Sequence, residues 1–307
     1  MAQYRVDIVD GKTVLCDWGG NEIYEIQLDS TINKISNFPD TMNFTGRPNP
    51  KIRNGNAWVS NGKTIWTRSA DPFMDTKRLE WEVIELPENI DSFQDFEIIS
   101  DKEAIILGAY WKYDEVLKKP ARYDLDFTFN YYTGVIKKTL NAFDPDEHMG
   151  DNKNALFERA RFRNGFMCRN GSKILLIGQF SGLVTIFDTD NDLFKKITVV
   201  PPEDMLSDPE AAVNNGRAIA WAAPLQGNEV LFVCRMWAAK TDDPGEYVSV
   251  NVFRKLDLDS GKVTFLGSDF RGLEADSAVS LLEKDGELVS ARGLIDSINA
   301  PIQQSKY

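Results

Sequence analysis

Histidine is almost missing from this sequence of 307 residues: His148 is the only one. Metal sites built on several histidines are therefore excluded, and a Ser-His-Asp or Cys-His mechanism would have to use this residue. It sits in Phe143-Asp-Pro-Asp-Glu-His-Met-Gly-Asp-Asn152, a polar stretch that reads as a solvated connection. Cysteine is scarce as well, and Cys16, Cys168 and Cys234 lie far apart, each within an apolar run. That spacing predicts reduced, buried thiols and a cytoplasmic protein, with a secreted chain whose leader has been removed as the alternative. The amino terminus carries no basic segment followed by an apolar run, so no secretory signal is expected. The longest apolar runs, such as Lys173-Ile-Leu-Leu-Ile-Gly178 and Glu229-Val-Leu-Phe-Val-Cys234, are too short to span a bilayer. No phosphate-binding glycine loop, dinucleotide fingerprint or zinc-cysteine spacing occurs. Positive charge is in deficit, with 35 Lys and Arg against 47 Asp and Glu and a balance of −12. Such a chain repels nucleic acid and anionic membranes, so neither is expected as a partner, and the same acidity keeps a protein soluble.

What is present is a recurring pattern of an apolar strand, a turn containing Gly, and a second apolar strand. It occurs as Val9-Asp-Gly-Lys-Thr-Val14, Ser60-Asn-Gly-Lys-Thr-Ile65, Arg169-Asn-Gly-Ser-Lys-Ile174, Leu225-Gln-Gly-Asn-Glu-Val230 and Lys284-Asp-Gly-Glu-Leu-Val289. Ser100-Asp-Lys-Glu-Ala-Ile105 is a further copy without the glycine. Asn-Gly and Asp-Gly pairs suit tight hairpins because both residues tolerate positive φ. A second hairpin follows most copies, as in Arg254-Lys-Leu-Asp-Leu-Asp-Ser-Gly-Lys-Val-Thr-Phe265 and Phe129-Asn-Tyr-Tyr-Thr-Gly-Val-Ile136. Ile26 to Lys34 and Ile186 to Phe194 hold comparable turns. A third echo, Arg53-Asn-Gly55, Arg163-Asn-Gly165 and Asn214-Asn-Gly216, stands before the first strand of three repeats.

Two hairpins per repeat give four antiparallel strands, the content of one propeller blade. On these residues the chain resembles β-propeller repeat proteins in general, along nearly its whole length. The Trp-Asp blade ending and the double-glycine kelch pattern are both missing, so no particular family is implied. The expected fold is all-β, a single β-propeller domain over residues 1–307 with about six blades, five or seven remaining open. The blades fall near 3–36, 55–93, 94–140, 157–200, 216–267 and 276–307, the last with room for about three strands. A pair of two-sheet sandwiches is the structural alternative, and the regular four-strand echo argues against it.

In a propeller the loops between second and third strands share a face with the connections between blades. Here three of those loops read as long insertions, Arg68–Arg78, Tyr110–Tyr123 and Trp237–Tyr247, and long loops on one rim are commonly functional. Each begins beside an aromatic residue: Trp66, Tyr110 with Trp111, and Trp237 next to Met236. Aromatic platforms stack sugars or anchor protein partners, and equally seal neighbouring blades. Arg53, Arg68, Arg163, Arg217 and Arg235 accompany them. If the Asn-Gly approaches converge on the axis, Arg53, Arg163 and Arg217 form a basic collar for a carboxylate or phosphate; the plainer outcome is pairing with nearby Asp or Glu.

For catalysis, Asp71, Glu158, Glu274 and Asp276 lie near the ends of expected inner elements, as the acid and nucleophile or base of a glycosidase would. The acidic content makes such candidates arise by chance. No metal site is expected and no cofactor is predicted; calcium at the acidic stretches 144–151 and 188–192 stays open, though both fail the EF-hand pattern. The first expectation is a non-enzymatic recognition module binding a protein, peptide or small ligand on the long-loop face. A carbohydrate-active enzyme using channel carboxylates is the second. An acidic decoy for a basic effector, resting on net charge, is a third.

Overall fold

The computed structural model describes residues 4–9, 12–17, 22–26, 32–37, 51–69, 81–88, 90–115, 118–140, 165–201, 218–239, 247–270, 273–274, 281–284 and 287–290. Among them every regular element is a strand, and no helix is long and apolar enough to cross a membrane. The strands form meanders in chain order. The first holds Tyr4–Val9 (β1), Lys12–Asp17 (β2), Glu22–Ile26 (β3) and Ile32–Asn37 (β4). The second holds Lys51–Arg53 (β5), Asn56–Ser60 (β6), Ile65–Ser69 (β7) and Glu82–Ile84 (β8). Ser92–Ile98 (β9), Glu103–Asp114 (β10), Lys119–Asn130 (β11) and Ile136–Leu140 (β12) make the third. Gly165–Asn170 (β13), Lys173–Gly178 (β14), Leu183–Asp188 (β15) and Leu193–Thr198 (β16) make the fourth. The fifth is Ile219–Leu225 (β17), Glu229–Ala239 (β18), Tyr247–Asp257 (β19) and Val263–Gly267 (β20). Two short pairs follow, Asp269–Phe270 (β21) with Leu273–Glu274 (β22), and Leu281–Lys284 (β23) with Glu287–Ser290 (β24). One parallel bridge, Ile8 to Asn170, joins β1 of the first meander to β13 of the fourth.

Side-chain alternation explains why the sheets stack. On β10, Ala104 and Ile106 point to one side and join Trp58 and Ile65 of the second meander in a core with Phe96 and Phe127. Their neighbours Ile105 and Leu107 point to the other side, against Ile174 and Leu176 of the fourth. On β14, Leu175 and Ile177 then face Val230, Phe232 and Cys234 of the fifth. The far side of the fifth, through Leu231 and Phe253, meets Phe270 on β21. A strand buried on both sides reads as a continuous apolar run, which is the pattern of Lys173–Gly178. Each fully buried Leu, Ile or Phe contributes about 1.5–3 kcal/mol.

The first strands of successive meanders run parallel. Lys51 reaches Asp95 while Arg53 reaches Glu97, so β5 and β9 advance together. Gln94 accepts from Gly165 N and Asp95 from Met167 N, which aligns β9 with β13. Ile219 N donates to Gln179 O near the start of β13, and Asn170 at its end holds Leu225 O, which aligns β17. Every meander therefore has a leading end, where its first strand begins, on a common side. Connections between second and third strands return to that leading end.

Three expectations are corrected by this geometry. Asn54-Gly55 does not precede the second repeat but turns β5 into β6, with φ of 52° and 69° at the two residues. The second meander accordingly starts at Lys51 rather than at residue 55, and its Asn61-Gly62 turn joins second to third strand. Arg68 then lies on the third strand, which ends at Ser69 on the trailing end, and residues 70–78 of that insertion fall outside the described residues. Finally, Tyr110–Tyr123 and Trp237–Tyr247 are not loops at their bases, because the strand ladders run on into them.

Candidate functional site

The two ladders reach the leading end. β9 pairs with β10 only up to Ala109, opposite Ser92, and β12 leaves β11 at Asp126. Beyond those points, among the described residues, β10 and β11 continue without a flanking strand, from Tyr110 opposite Tyr123 to Asp114 opposite Lys119. The result is a two-stranded arm projecting past its sheet. Asp91 fixes its base: its N–H donates to Ala109 O at 3.1 Å, and its Oδ2 accepts from Trp111 N at 2.7 Å. A second arm runs from Arg235 opposite Asn251 to Ala239 opposite Tyr247, beyond the last pairing of β17 at Cys234.

Residues facing each other across an antiparallel ladder share a side, so the first arm has two distinct surfaces. One carries Tyr110 and Tyr123, whose rings stack at 5.5 Å and 20°. The other carries Trp111 and Tyr113, 59% and 51% exposed, with Pro120 opposite Tyr113. Trp111 thus stands open on the arm. On the second arm Trp237 lies on β18 opposite Ser249, and Arg235 Nε donates to Asn251 Oδ1 at 3.2 Å. Trp66 and Arg68 lie on β7, Trp66 between Val59 and Val83, while Arg68 covers the Trp81 ring at 4.7 Å. Burial lowers the Arg68 pKa without neutralising a guanidinium. Asp71, Glu158, Asp276, Arg163 and Arg217 fall outside the described residues, as does His148. Glu274 is on β22, its backbone opposite Asp269.

Arg53 occupies a different place from the arms. It is buried where the first strands of three meanders converge, and there it pairs with an acid, the plainer of the two outcomes expected for it. Its Nη2 donates to Glu97 Oε2 at 2.8 Å and its Nε to Oε1 of the same carboxylate. Lys51 Nζ donates to Asp95 Oδ1 at 2.9 Å, lies 3.5 Å from Glu97 Oε2, and sits over the Phe96 ring. Arg169 from β13 approaches Glu97 Oε1 at 3.6 Å and donates to Ile98 O. Asp95 Oδ2 accepts from Met167 N at 2.7 Å. Burial pushes the Glu97 pKa up, but Arg53, then Lys51 and Arg169, outweigh it and hold the carboxyl well below the usual range. An acid held ionised in this way does not serve as a proton donor. The network clamps β5, β9 and β13 together.

Its signal was in the spacing. Lys51 and Arg53 are two apart on one strand, Asp95 and Glu97 two apart on another, and period two places each pair on one side of its strand. Two bases facing two acids in register match strand to strand. Among the described residues no three His, Cys, Asp or Glu gather as a metal site. At the hairpin tip after β15, Asp188 caps its own turn, accepting from Asp190 N and from Asn191.

No family model matches the chain, and no curated protein matches it. Among solved structures it is similar to a Kuenenia stuttgartiensis hydrazine synthase chain at 10% identity and a TM-score of 0.44, covering 87% of this chain and 66% of that one. It is also similar to virginiamycin B lyase from Staphylococcus aureus, as a catalytically inactive variant with quinupristin, at 12% identity and a TM-score of 0.39, covering 94% and 91%. A nidogen/laminin complex gives 9% identity and 0.41, covering 86% and 78%. These similarities name no specific family for the chain.

Proposed function

We propose that this protein is a non-enzymatic recognition module that binds a protein or peptide partner on the leading end, with the first arm as its principal contact. The observation that supports this reading is the placement of Trp111 and Tyr113, two large aromatic side chains exposed on a rigid ribbon outside the core. Aromatic anchors with few rotatable bonds supply contact area at small entropic cost and dominate interface energetics. Tyr110 lies on the other side of the same arm, and Arg235 and Trp237 stand on the second arm at the same end. Arg53 belongs to the clamp instead, and Trp66 and Arg68 lie on β7, away from the arms. In the same reading the five meanders and the terminal pairs are blades of one propeller of about six, their parallel first strands lining the axis.

The test is cross-linking in the host cell with a photoreactive residue placed at Glu115, exposed two residues beyond Tyr113 at the tip of the arm. The expected result is one dominant adduct, lost when Trp111→Ala and Tyr113→Ala are introduced together. Thermal unfolding of that variant is expected to stay unchanged, since both side chains are exposed. An adduct pattern indifferent to the two substitutions overturns the placement.

A further inference from the structure

The open edge of the first arm says what form of partner it takes. Trp111 N–H points away from β11, because it donates to Asp91. Alternation by two residues turns the N–H and C=O of Tyr113 to the same outer edge, and among the described residues nothing pairs with β10 beyond Trp111. The opposite edge is guarded: Pro120 lies on β11 at the position facing outward and has no N–H to offer. Among the described residues no strand lies along the Tyr113 edge, where Asp91 takes only the Trp111 N–H, while the opposite edge lacks a donor at Pro120.

Charge selects the partner's sign. Between Tyr110 and Tyr123 there are four basic residues, Lys112, Lys118, Lys119 and Arg122, and two acidic ones, Asp114 and Glu115, in a chain whose balance is −12. Lys112, Lys118 and Lys119 are exposed. The arm is a locally basic projection on an acidic body, which attracts an acidic segment that the body itself repels. Trp111 and Tyr113 present apolar surface two residues apart, the repeat of side chains on one side of an added strand.

We infer that the arm takes an extended acidic segment of another protein, added as a strand to the β10 edge at Trp111–Tyr113, its acidic residues alternating with apolar ones. The mode is strand addition, in which backbone hydrogen bonds give affinity and alternate side chains give selectivity. This inference rests on the arm being the docking site.

The test pans a display library of random decapeptides against the full chain and measures enriched peptides by fluorescence anisotropy. Enriched sequences are expected to alternate acidic with apolar residues. Their affinity is expected to fall about tenfold or more in Lys118→Glu/Lys119→Glu, and as much when alternate peptide nitrogens are methylated. Peptides that need Trp111 and Tyr113 but show no acidic bias, or ignore N-methylation, overturn strand addition and leave the docking site standing. Peptides indifferent to Trp111→Ala/Tyr113→Ala overturn both. A library that yields no enriched peptide overturns the strand inference, and the cross-linking result then decides the site alone.

Discussion

Arg53 and Glu97, one on β5 and the other on β9, meet in a bidentate ion pair buried between two meanders. The pair shares its carboxylate with Lys51 and Arg169, so the acid is the common node of a three-strand joint. Replacing Glu97 by Gln leaves Arg53 buried without its carboxylate and Lys51 with Asp95 alone. The expected destabilisation is about 3–5 kcal/mol, the usual consequence of removing one partner from a buried pair. Urea unfolding of Glu97→Gln checks this; a midpoint equal to the parent's shows that the joint is not stabilising.

The same carboxylate gives an acid limb. In the unfolded chain Glu titrates near about 4.3, and in the folded protein it titrates well below that. The folded state thus binds fewer protons there, and stability rises with pH through that region. The contribution is complete above the unfolded value and is lost as pH falls toward the folded one. Stability measured between neutral pH and pH about 3 is expected to fall less steeply in Glu97→Gln than in the parent. Parallel curves would show that this group does not set the limb.

Gly108 sits where β10 shifts register against β9, at the root of the first arm. A Cβ there would lie 2.9 Å from Leu125 O and 3.2 Å from the Phe127 ring. The carbonyl belongs to the paired strand and cannot swing away like a side chain. Gly108→Ala is expected to cost about 1–3 kcal/mol and to lower the melting temperature. An alanine variant as stable as the parent would mean that the ladder relaxes freely at this point.

Cys168 and Cys234 are buried in one core and form no disulfide, and burial pushes the Cys234 thiol up to about 12. At neutral pH that thiol is neither ionised nor accessible. Alkylation followed by peptide mapping is expected to leave both cysteines unlabelled in the native protein and to label both in denaturant. Native labelling of Cys234 would show that the fourth and fifth meanders part readily.

The hairpins were legible because their chemistry is local: Asn-Gly at 61–62 and Asp-Ser-Gly at 259–261 announce a turn whatever surrounds them, and Gly62 and Gly261 adopt positive φ. The same signal misled at Asn54-Gly55, since a second Asn-Gly follows seven residues later and β5, with only three residues, has too short a pattern to register as a strand. The arms were read as loops because Tyr110–Asp114 mixes aromatic and charged residues, and strands of twelve residues exceed the common length. The clamp's partners were hidden for a different reason. Charged residues at 51, 53, 95 and 97 look solvent-facing one at a time, and only the pairing of β5 beside β9 shows why each tolerates burial.

The first arm also has a mechanical character. Twelve register pairs join β10 to β11, from Glu103 opposite Asn130 to Asp114 opposite Lys119, and the lower seven lie within a sheet packed on both sides. Tension applied at the tip along the strand direction draws β10 and β11 together and loads their ladders with β9 and β12 in shear, so many hydrogen bonds resist together. Tension applied sideways instead bends the two-stranded ribbon about its base, where the ladders with β9 and β12 stop among the described residues. The arm is accordingly stiff to a pull along its axis and compliant to one across it, so the direction of approach governs how firmly a load is carried into the body of the protein.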